Sequence, residues 1–359
     1  MAARTLIEWT DATWNVVNGC SVLSPGCKHC YAMRLAGTRL RNHPSRAGLT
    51  IDTAAGPVWN GQIRINWDII DQPLRWARPR MIFANAHGDM FHEAVPMDTI
   101  AQIYGTAVAA HHLRGHITQY LTKRADRQRD LLNRPEFWER VNTTAEMLVM
   151  DRTDPLDRRS DDARATLRGY DPDTPPPGIW AGVSAEDQER WDERTDLLME
   201  TPAFVRWVSV EPMLGPIIGS APADKIFRML STWYGPDGFD DTGAQPERTR
   251  MPGYFPRVDW VVCGGESGPG ARPLHPDWAR SMRDQCEAAG VPFFFKQWGS
   301  CAPLMGARPA QSGLAAWPDG SVRSGHAASR GGPGIAMFRG TKKITGRLLD
   351  GVAHNGMPA

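Results

Sequence analysis

The chain has 359 residues, with 41 Lys and Arg against 40 Asp and Glu and a formal net charge of +1. This length suits one large α/β barrel or two ordinary domains, and the balanced charge excludes the global positive field that holds many DNA-coating proteins on phosphate. The N-terminus has acidic residues and no apolar run of signal-peptide type, and no stretch approaches the roughly 20 apolar residues of a membrane helix. We therefore expect a cytoplasmic protein without membrane contacts.

Short apolar runs rich in β-branched and aromatic residues alternate with amphipathic stretches along the chain. The first have the length and composition of strands, and the second have the period of helices. The predicted strands are one near residues 14–17, followed by 81–85, 116–121, 179–183, 204–210, 258–263 and 292–296. The predicted helices are 31–40, 97–112, 124–132, 186–199 and 277–289. This alternation favours a parallel sheet in an α/β fold.

Polar or charged residues follow the predicted strands at their C-terminal ends. They are Asn85, His87, Asp89, Lys123, Arg124, Ser184, Glu186, Glu211, Glu266 and Lys296. In a parallel (βα) barrel these positions converge on one mouth, where barrel enzymes place their chemistry. Loops are polar in most proteins, so any one of these residues has an ordinary explanation. A doubly wound open sheet is also compatible with the pattern.

Three segments have the composition of insertions or tails. Residues 151–178 are charged and end in a Pro-rich run, residues 232–256 are rich in Gly, Pro and Asp, and the chain from residue 300 is rich in Gly, Ala, Ser and Pro. We expect a barrel over residues 1–299 with insertions at about 151–178 and 232–256. Residues 300–359 would form a C-terminal tail that packs on the barrel.

Three of the six cysteines lie within eleven residues, with six residues between Cys20 and Cys27 and two between Cys27 and Cys30. A secreted disulfide framework is not spaced in this way, and such a group in a reducing compartment indicates a metal site. Thiolates are soft ligands that suit zinc or an iron-sulfur cluster. The remaining cysteines, Cys263, Cys286 and Cys301, lie far downstream.

Zinc and a [4Fe-4S] cluster differ in the number of ligands that they need. A structural zinc site requires a fourth protein ligand, and none stands at a suitable spacing near the three cysteines. A cube held by three cysteines leaves one iron open to a small molecule. We therefore favour a [4Fe-4S] cluster on Cys20, Cys27 and Cys30. Zinc with a distant fourth ligand and a loop of unliganded thiols remain alternatives.

The sequence also resembles a known family. Seven blocks appear in order: TWNVVNGCSVLSPGCKHCYA, HITQYLTKRADR, GIWAGVSAEDQE, VRWVSVEPMLGPI, VDWVVCGGESGPGARPLHPDW, PFFFKQWG and KKITGRLLDG. From about Trp9 to Gly351 they resemble the phage-associated three-cysteine-motif family of uncharacterised proteins, which is grouped with radical SAM enzymes. The resemblance implies a partial (βα) barrel of radical SAM type in a bacterial or phage-infected cell. It also implies S-adenosylmethionine (SAM) as a cofactor and an electron donor such as flavodoxin or ferredoxin.

Two features depart from the common radical SAM pattern. The first gap is three residues longer than in CxxxCxxC, and His29 stands where an aromatic residue usually precedes the last cysteine. By the resemblance, the SAM ammonium would contact Asn85, His87 and Asp89, and further SAM contacts would come from Ser184, Glu186 and Glu211. Asp89 could instead cap a helix, and Glu211 could be a structural carboxylate before Pro212.

The substrate class is indicated by weaker signals. A Gly-rich loop at residues 264–270, with Glu266 inside it and Arg272 after it, could cradle an anion or could be a wide turn. Lys123 and Arg124 begin a basic cluster that could grip phosphate or form a solvated helix face. Fourteen tryptophans, with Trp9, Trp14, Trp59 and Trp298 near the expected mouth, could stack on a base, although most tryptophans belong to cores.

These signals favour a nucleotide or nucleic acid as the substrate, bound by Lys123, Arg124, Glu266, Arg272 and Lys296. Cys263 ends a predicted strand and could donate a hydrogen atom to a substrate radical, or it could be a buried structural cysteine. The hypothesis is a radical SAM enzyme of unknown reaction. The alternative is a non-catalytic barrel protein that binds zinc and contacts nucleic acid.

Overall fold

The computed structural model describes residues 5–152, 165–217, 257–304, 314–323 and 334–358. The strands are β1 (Ala12–Trp14), β2 (Val17–Asn18), β3 (Thr50–Thr53), β4 (Gly56–Trp59), β5 (Arg64–Ile65), β6 (Met81–Ala84), β7 (Ile117–Thr122), β8 (Ile179–Ser184), β9 (Val205–Val210), β10 (Trp260–Gly264), β11 (Phe293–Gln297), β12 (Cys301–Pro303), β13 (Ala315–Ala316), β14 (Val322–Arg323) and β15 (Ile335–Arg339). The α-helices are α1 (Tyr31–Gly37), α2 (Met97–Arg114), α3 (Ala125–Leu132), α4 (Pro135–Met150), α5 (Gln188–Met199), α6 (Pro276–Ala288) and α7 (Lys342–Thr345).

Seven strands form one parallel sheet in the order β1-β6-β7-β8-β9-β10-β11, and the sheet is curled into a half-barrel. The strand order follows the chain order without a reversal. A doubly wound sheet reverses its order at a switch point, so that alternative is wrong. The expected parallel α/β fold is confirmed at this level, with the C-terminal ends of the strands at one mouth.

The two faces of the sheet carry different side chains because successive residues of a strand point to opposite sides. The outer face packs against helices in two clusters, one containing Ile82 with residues of α2 and α4 and the other containing Val261 with residues of α5 and α6. The inner face carries a separate cluster, and no residue of a described helix belongs to it. It is built mainly from Trp9, Phe83, Trp180, Trp207, Trp260 and Phe294.

Aromatic contacts across the sheet show how strongly it curls. The ring of Trp9 lies 5.1 Å from that of Trp207 and 5.8 Å from that of Trp260, although these residues belong to opposite ends of the sheet. A side chain at Gly182 would place its Cβ 2.4 Å from the Trp207 indole, so this strand position needs glycine. The base of the half-barrel is thus a packed aromatic core.

The C-terminal part of the chain adds a second sheet and covers an edge of the first. Strands β12, β15, β13 and β14 form a four-stranded sheet whose described pairs are antiparallel. Further on, Asn355 pairs antiparallel with Phe294, the Phe295 N–H donates to His354 O, and the Gly356 N–H donates to Phe293 O. Residues 354–356 therefore satisfy the backbone groups of β11, which would otherwise be a free sheet edge.

The predicted elements agree with the observed ones for the strands of the main sheet and for α1, α2, α3, α5 and α6, within a few residues at their ends. Helix α4 and the β3–β4 hairpin were not predicted. The expected insertion at 232–256 lies outside the described residues, as do residues 153–164 of the other insertion. In the described parts of the chain, no helix is long and apolar enough to cross a membrane.

Candidate functional site

A pocket opens at the C-terminal ends of β6, β7 and β8, beside the loop that carries the three cysteines. It encloses about 750 Å³, including its open mouth. Cys20, Cys27 and Cys30 all line it. The strand-end residues that line it are Asn85, Asp89, Thr122, Lys123, Arg124 and Ser184. The structure thus brings the cysteine motif together with five of the ten polar residues noted at the strand ends.

The cysteine loop is shaped by its glycines and by a short helix. Gly19 has a φ of +93°, and a Cβ there would lie 2.2 Å from Gln62 O, so only glycine fits. Pro25 begins a 3-10 helix that ends at Cys27, and Cys30 immediately precedes α1. Cys27 is buried, whereas Cys20 and Cys30 are partly exposed towards the pocket.

Burial raises the pKa of Cys20 to about 12, with Asp89 adding to the rise and Arg124 opposing it. Burial also raises the pKa of Cys30. Within the described residues, no three His, Cys, Asp or Glu side chains are grouped so as to hold a metal ion. The assignment of a cluster to these cysteines therefore stays a prediction.

Asp89 is occupied by donors from the protein itself. Its carboxylate accepts hydrogen bonds from the Thr122 hydroxyl at 2.8 and 2.9 Å, from the Phe91 N–H at 3.0 Å and from the Arg124 guanidinium at 3.1 Å. These contacts tie the loop after β6 to the end of β7. Asp89 is therefore a structural anchor at the pocket wall, and its oxygens are poorly placed to bind an ammonium group.

Asn85 offers a different arrangement on the same wall. It has a φ of +59°, and its Oδ1 accepts a hydrogen bond of 2.8 Å from the Val17 N–H. Its Nδ2 is buried and has no partner in the described part of the chain. His87 does not line the pocket but accepts a hydrogen bond from Arg46 at 2.5 Å, and burial together with Arg46 lowers the pKa of His87 to about 4.

A chain of polar contacts links β7 to β8. The Lys123 ammonium lies 2.6 Å from Ser184 Oγ and 3.1 Å from Glu186 Oε2. Glu186 is fully buried beneath the pocket lining, where it also pairs with Arg194 at 3.1 Å and accepts the Gly26 N–H at 2.9 Å. Burial acts to raise the Glu186 pKa, but Lys123, Ser24, Arg194 and the Gly26 N–H together lower it to about 2.

Glu211 and Lys296 form an ion pair of 3.1 Å at the ends of β9 and β11, outside the lining of the cysteine pocket. Gly264 on the intervening β10 leaves space for the Glu211 carboxylate, since a Cβ there would lie 2.5 Å from its Oε1. The peptide bond from Glu211 to Pro212 is cis. The Glu211 carboxylate is thus paired with the Lys296 ammonium.

The Gly-rich loop at residues 264–270 packs against the cysteine loop. A Cβ at Gly268 would lie 2.7 Å from Arg34, and a Cβ at Gly270 would lie 3.1 Å from the His29 ring. Within this region Arg272 pairs with Glu266 at 2.5 Å and donates to Pro25 O at 3.1 Å. The loop therefore packs against Arg34 and His29, and Arg272, held by Glu266, braces the cysteine loop through Pro25.

Cys263 lies away from the pocket. It is fully buried in the cluster between the sheet and the helices, with its Sγ 3.8 Å from Met213 Sδ. Burial raises its pKa well above the ordinary value. Its position is that of a structural cysteine on the outer face, so the geometry does not support the hydrogen-donor role.

The tryptophans expected near the mouth have different locations. Trp59 lines the pocket, whereas Trp9 belongs to the inner aromatic cluster and Trp14 and Trp298 belong to the outer clusters. Thr122 stands at the end of a predicted strand, directly before Lys123, and it lines the pocket together with Arg124. Ser21 also lines the pocket but was not predicted. It carries no local signal, because its role depends on a contact with Arg124, 103 positions away in the sequence.

The geometry of the site can be compared with known proteins. A family model described as "Protein of unknown function (DUF5131)" matches residues 4–358. The chain belongs to the DUF5131 family. In the comparisons with curated proteins and with solved structures, no protein matches this DUF5131 member.

Proposed function

We propose that this DUF5131 protein is a radical SAM enzyme that holds a [4Fe-4S] cluster on Cys20, Cys27 and Cys30. The observation that carries the proposal is the pocket itself. Three thiols from one loop and polar residues from the ends of β6, β7 and β8 line the same cavity at the mouth of a parallel half-barrel. This is where parallel barrels place their chemistry. In this proposal the half-barrel is of radical SAM type, as the resemblance of the seven sequence blocks implies.

The donor set fits such a cluster. Among the described residues that line the pocket, the three cysteines provide the soft donors, and no histidine is among them. Three thiolates match the protein ligands of a cube with one open iron. The walls suit a polar small molecule at that iron, since Asn85, Lys123 and Ser184 line the pocket beside the three cysteines. When bound, the cluster would supply one electron for reductive cleavage of SAM to a 5′-deoxyadenosyl radical.

The protein residues would bind and orient SAM. Asn85 and Lys123 line the pocket, and the unpartnered Nδ2 of Asn85 and the Lys123 ammonium are donors that suit a carboxylate. Ser184 Oγ beside Lys123 can accept from an ammonium. Glu186 lies below and holds Lys123 in place. Glu211 is paired with Lys296, so its carboxylate supports a SAM contact less than the other strand-end residues do.

A nucleotide or nucleic acid remains the proposed substrate class. The phage association implied by the resemblance supports this class. Trp59 lines the pocket but is only 6% exposed and packs against Met33 and Leu49, so it supports stacking on a base less than expected. The basic residues support this class less, because Lys123, Arg124 and Arg272 are engaged with carboxylates of the protein. An electron donor such as flavodoxin or ferredoxin belongs to the same proposal.

Anaerobic purification and reconstitution, with iron, sulfide and zinc quantified together, test the proposal. We expect about four iron and four sulfide per chain in the wild type. Cys27→Ala should lose them, and the matched control Cys286→Ala, which removes a buried thiol on the outer face, should keep them. Near-stoichiometric zinc without sulfide would instead favour a zinc-binding protein without radical chemistry.

The second stage of this experiment tests the cofactor and the substrate. Reduced holoenzyme with SAM should release 5′-deoxyadenosine, and DNA, RNA, nucleotides and peptides are added in turn. Stimulation by nucleotides or nucleic acid is the expected outcome. Stimulation by peptides alone would overturn the substrate class, and a loaded cluster with no SAM binding in calorimetry would overturn the enzyme assignment.

A further inference from the structure

The guanidinium of Arg124 lies between the cysteine loop and two carboxylates. Arg124 follows β7 directly and is 3% exposed. Its Nε donates to Glu93 Oε1 at 2.8 Å, one terminal nitrogen donates to Asp89 Oδ2 at 3.1 Å, and the other donates to Ser21 Oγ at 2.6 Å. The nitrogen that contacts Asp89 also lies 3.6 Å from Cys20 Sγ.

These contacts fix the plane of the guanidinium. Arginine presents its N–H donors in a rigid planar fork, so acceptors on three sides determine the direction of every N–H bond. Asp89 is itself held by the Thr122 hydroxyl and the Phe91 N–H. The N–H directed at Cys20 is therefore positioned before any ligand binds to that sulfur.

The three cysteines differ in their surroundings. Cys27 Sγ lies 3.9 Å from the neutral Ser24 hydroxyl, while Cys20 Sγ has a cationic donor beside it. The carboxylates of Asp89 and Glu93 are close to the same loop, so without Arg124 the local charge would be more negative by one unit. Arg124 therefore acts on one ligand position in particular.

We propose that Arg124 donates an N–H···S hydrogen bond to the Cys20 ligand and thereby raises the reduction potential of the cluster. The inference rests on the function proposed above. Reduction adds one electron from the donor to the cluster, and the added negative charge is stabilised by a nearby cation and by hydrogen bonds to the ligand sulfur. Arg124 is thus a positioning and tuning residue that acts through Cys20.

The test is a potentiometric titration of the reconstituted protein followed by EPR, with iron and sulfide measured in each sample. Arg124→Gln should keep iron and sulfide and titrate at a lower midpoint potential. Arg124→Lys keeps the positive charge but loses the planar fork of the guanidinium. Its midpoint potential should therefore lie between those of the wild type and Arg124→Gln. The matched control is Arg127→Gln, which removes a partly buried guanidinium on α3. This guanidinium donates to His92 O and Val95 O, and neither of these contacts involves a cysteine.

The outcomes separate this inference from the function on which it rests. A wild type without iron and sulfide would defeat the proposed function. A loaded Arg124→Gln protein with the wild-type midpoint, or an equal decrease in Arg127→Gln, would overturn the inference alone. Should Arg124→Gln lose its iron, Ser21→Ala and Arg124→Lys decide. Both retain the positive charge, while Ser21→Ala frees one side of the guanidinium and Arg124→Lys removes the planar fork, and wild-type midpoints in both would overturn the inference.

Discussion

The two halves of the mouth use similar residues in different ways. On the cysteine side, at the ends of β6, β7 and β8, the residues line a pocket, and Asn85 keeps a buried donor without a partner in the described chain. On the far side, at the ends of β9, β10 and β11, Glu211 pairs with Lys296, and Glu266 pairs with Arg272. Polar residues at strand ends thus indicate where a mouth lies, but their partners decide whether they can bind a ligand.

The largest effect is expected at Glu186, which supports the cysteine side from below. Glu186→Gln leaves Lys123 and Arg194 without their buried carboxylate, and breaking such a pair costs about 3–5 kcal/mol. Urea unfolding at pH 7 measures this loss. The control is Glu193→Gln on the exposed face of α5, which should change stability by less than about 0.5 kcal/mol.

The same residue predicts a pH dependence. The Glu186 pKa is lowered from 4.5 to about 2, so its stabilisation is fully present above pH 4.5 and is lost as the pH falls from there towards 2. The stability of the wild type should therefore fall more steeply over this range than that of Glu186→Gln. If the stability of the two proteins fell in parallel with pH, the Glu186 carboxylate would not be held by Lys123 and Arg194.

The glycine that shapes the cysteine loop should have the next largest effect. Gly19→Ala combines a positive φ with a Cβ 2.2 Å from Gln62 O, and we expect a loss of about 3 kcal/mol. Gly61→Ala is the matched control, since it has a φ of +82° and open space around its Cβ, and should cost about 1 kcal/mol. Equal unfolding free energies in the two variants would contradict the close approach of the Gly19 backbone to Gln62 O.

SAM affinity should distinguish the two halves of the mouth. Asn85→Asp keeps the acceptor for the Val17 N–H, removes the unpaired donor and adds a negative charge that repels a carboxylate. We expect SAM binding to weaken at least about tenfold, the equivalent of one lost hydrogen bond of about 1.4 kcal/mol. Glu211→Gln should leave SAM affinity unchanged. Calorimetry on iron-matched samples measures both, and the opposite order would place the cofactor on the far side.

The smallest effect is expected at Cys263. Because its thiol faces Met213 in the outer cluster, Cys263→Ala should leave the yield of 5′-deoxyadenosine and the labelling of product unchanged in the holoenzyme. If the product of Cys263→Ala no longer gained its hydrogen atom, Cys263 would have to be the hydrogen donor. The thiol of Cys263 would then have to reach the mouth of the half-barrel.

The sequence predicted the parts of the molecule that are encoded locally. Apolar runs such as residues 179–183 form strands because their composition and length favour one, and the mouth residues follow at the strand ends. The β3–β4 hairpin was missed because its exposed strand has little apolar alternation. Contacts such as Gly26 with Glu186 or Arg124 with Cys20 join residues more than 100 positions apart, so only the curling of the sheet creates them.

The pairing of residues 354–356 with β11 has a consequence for synthesis on the ribosome. Parallel sheets form slowly, and an unpaired edge strand can recruit a strand from another chain. The backbone groups of Phe293 and Phe295 are covered by residues made some 60 positions later. Until those residues emerge, the nascent half-barrel presents an apolar edge strand, and this interval is when the chain is most exposed to aggregation and to chaperone binding.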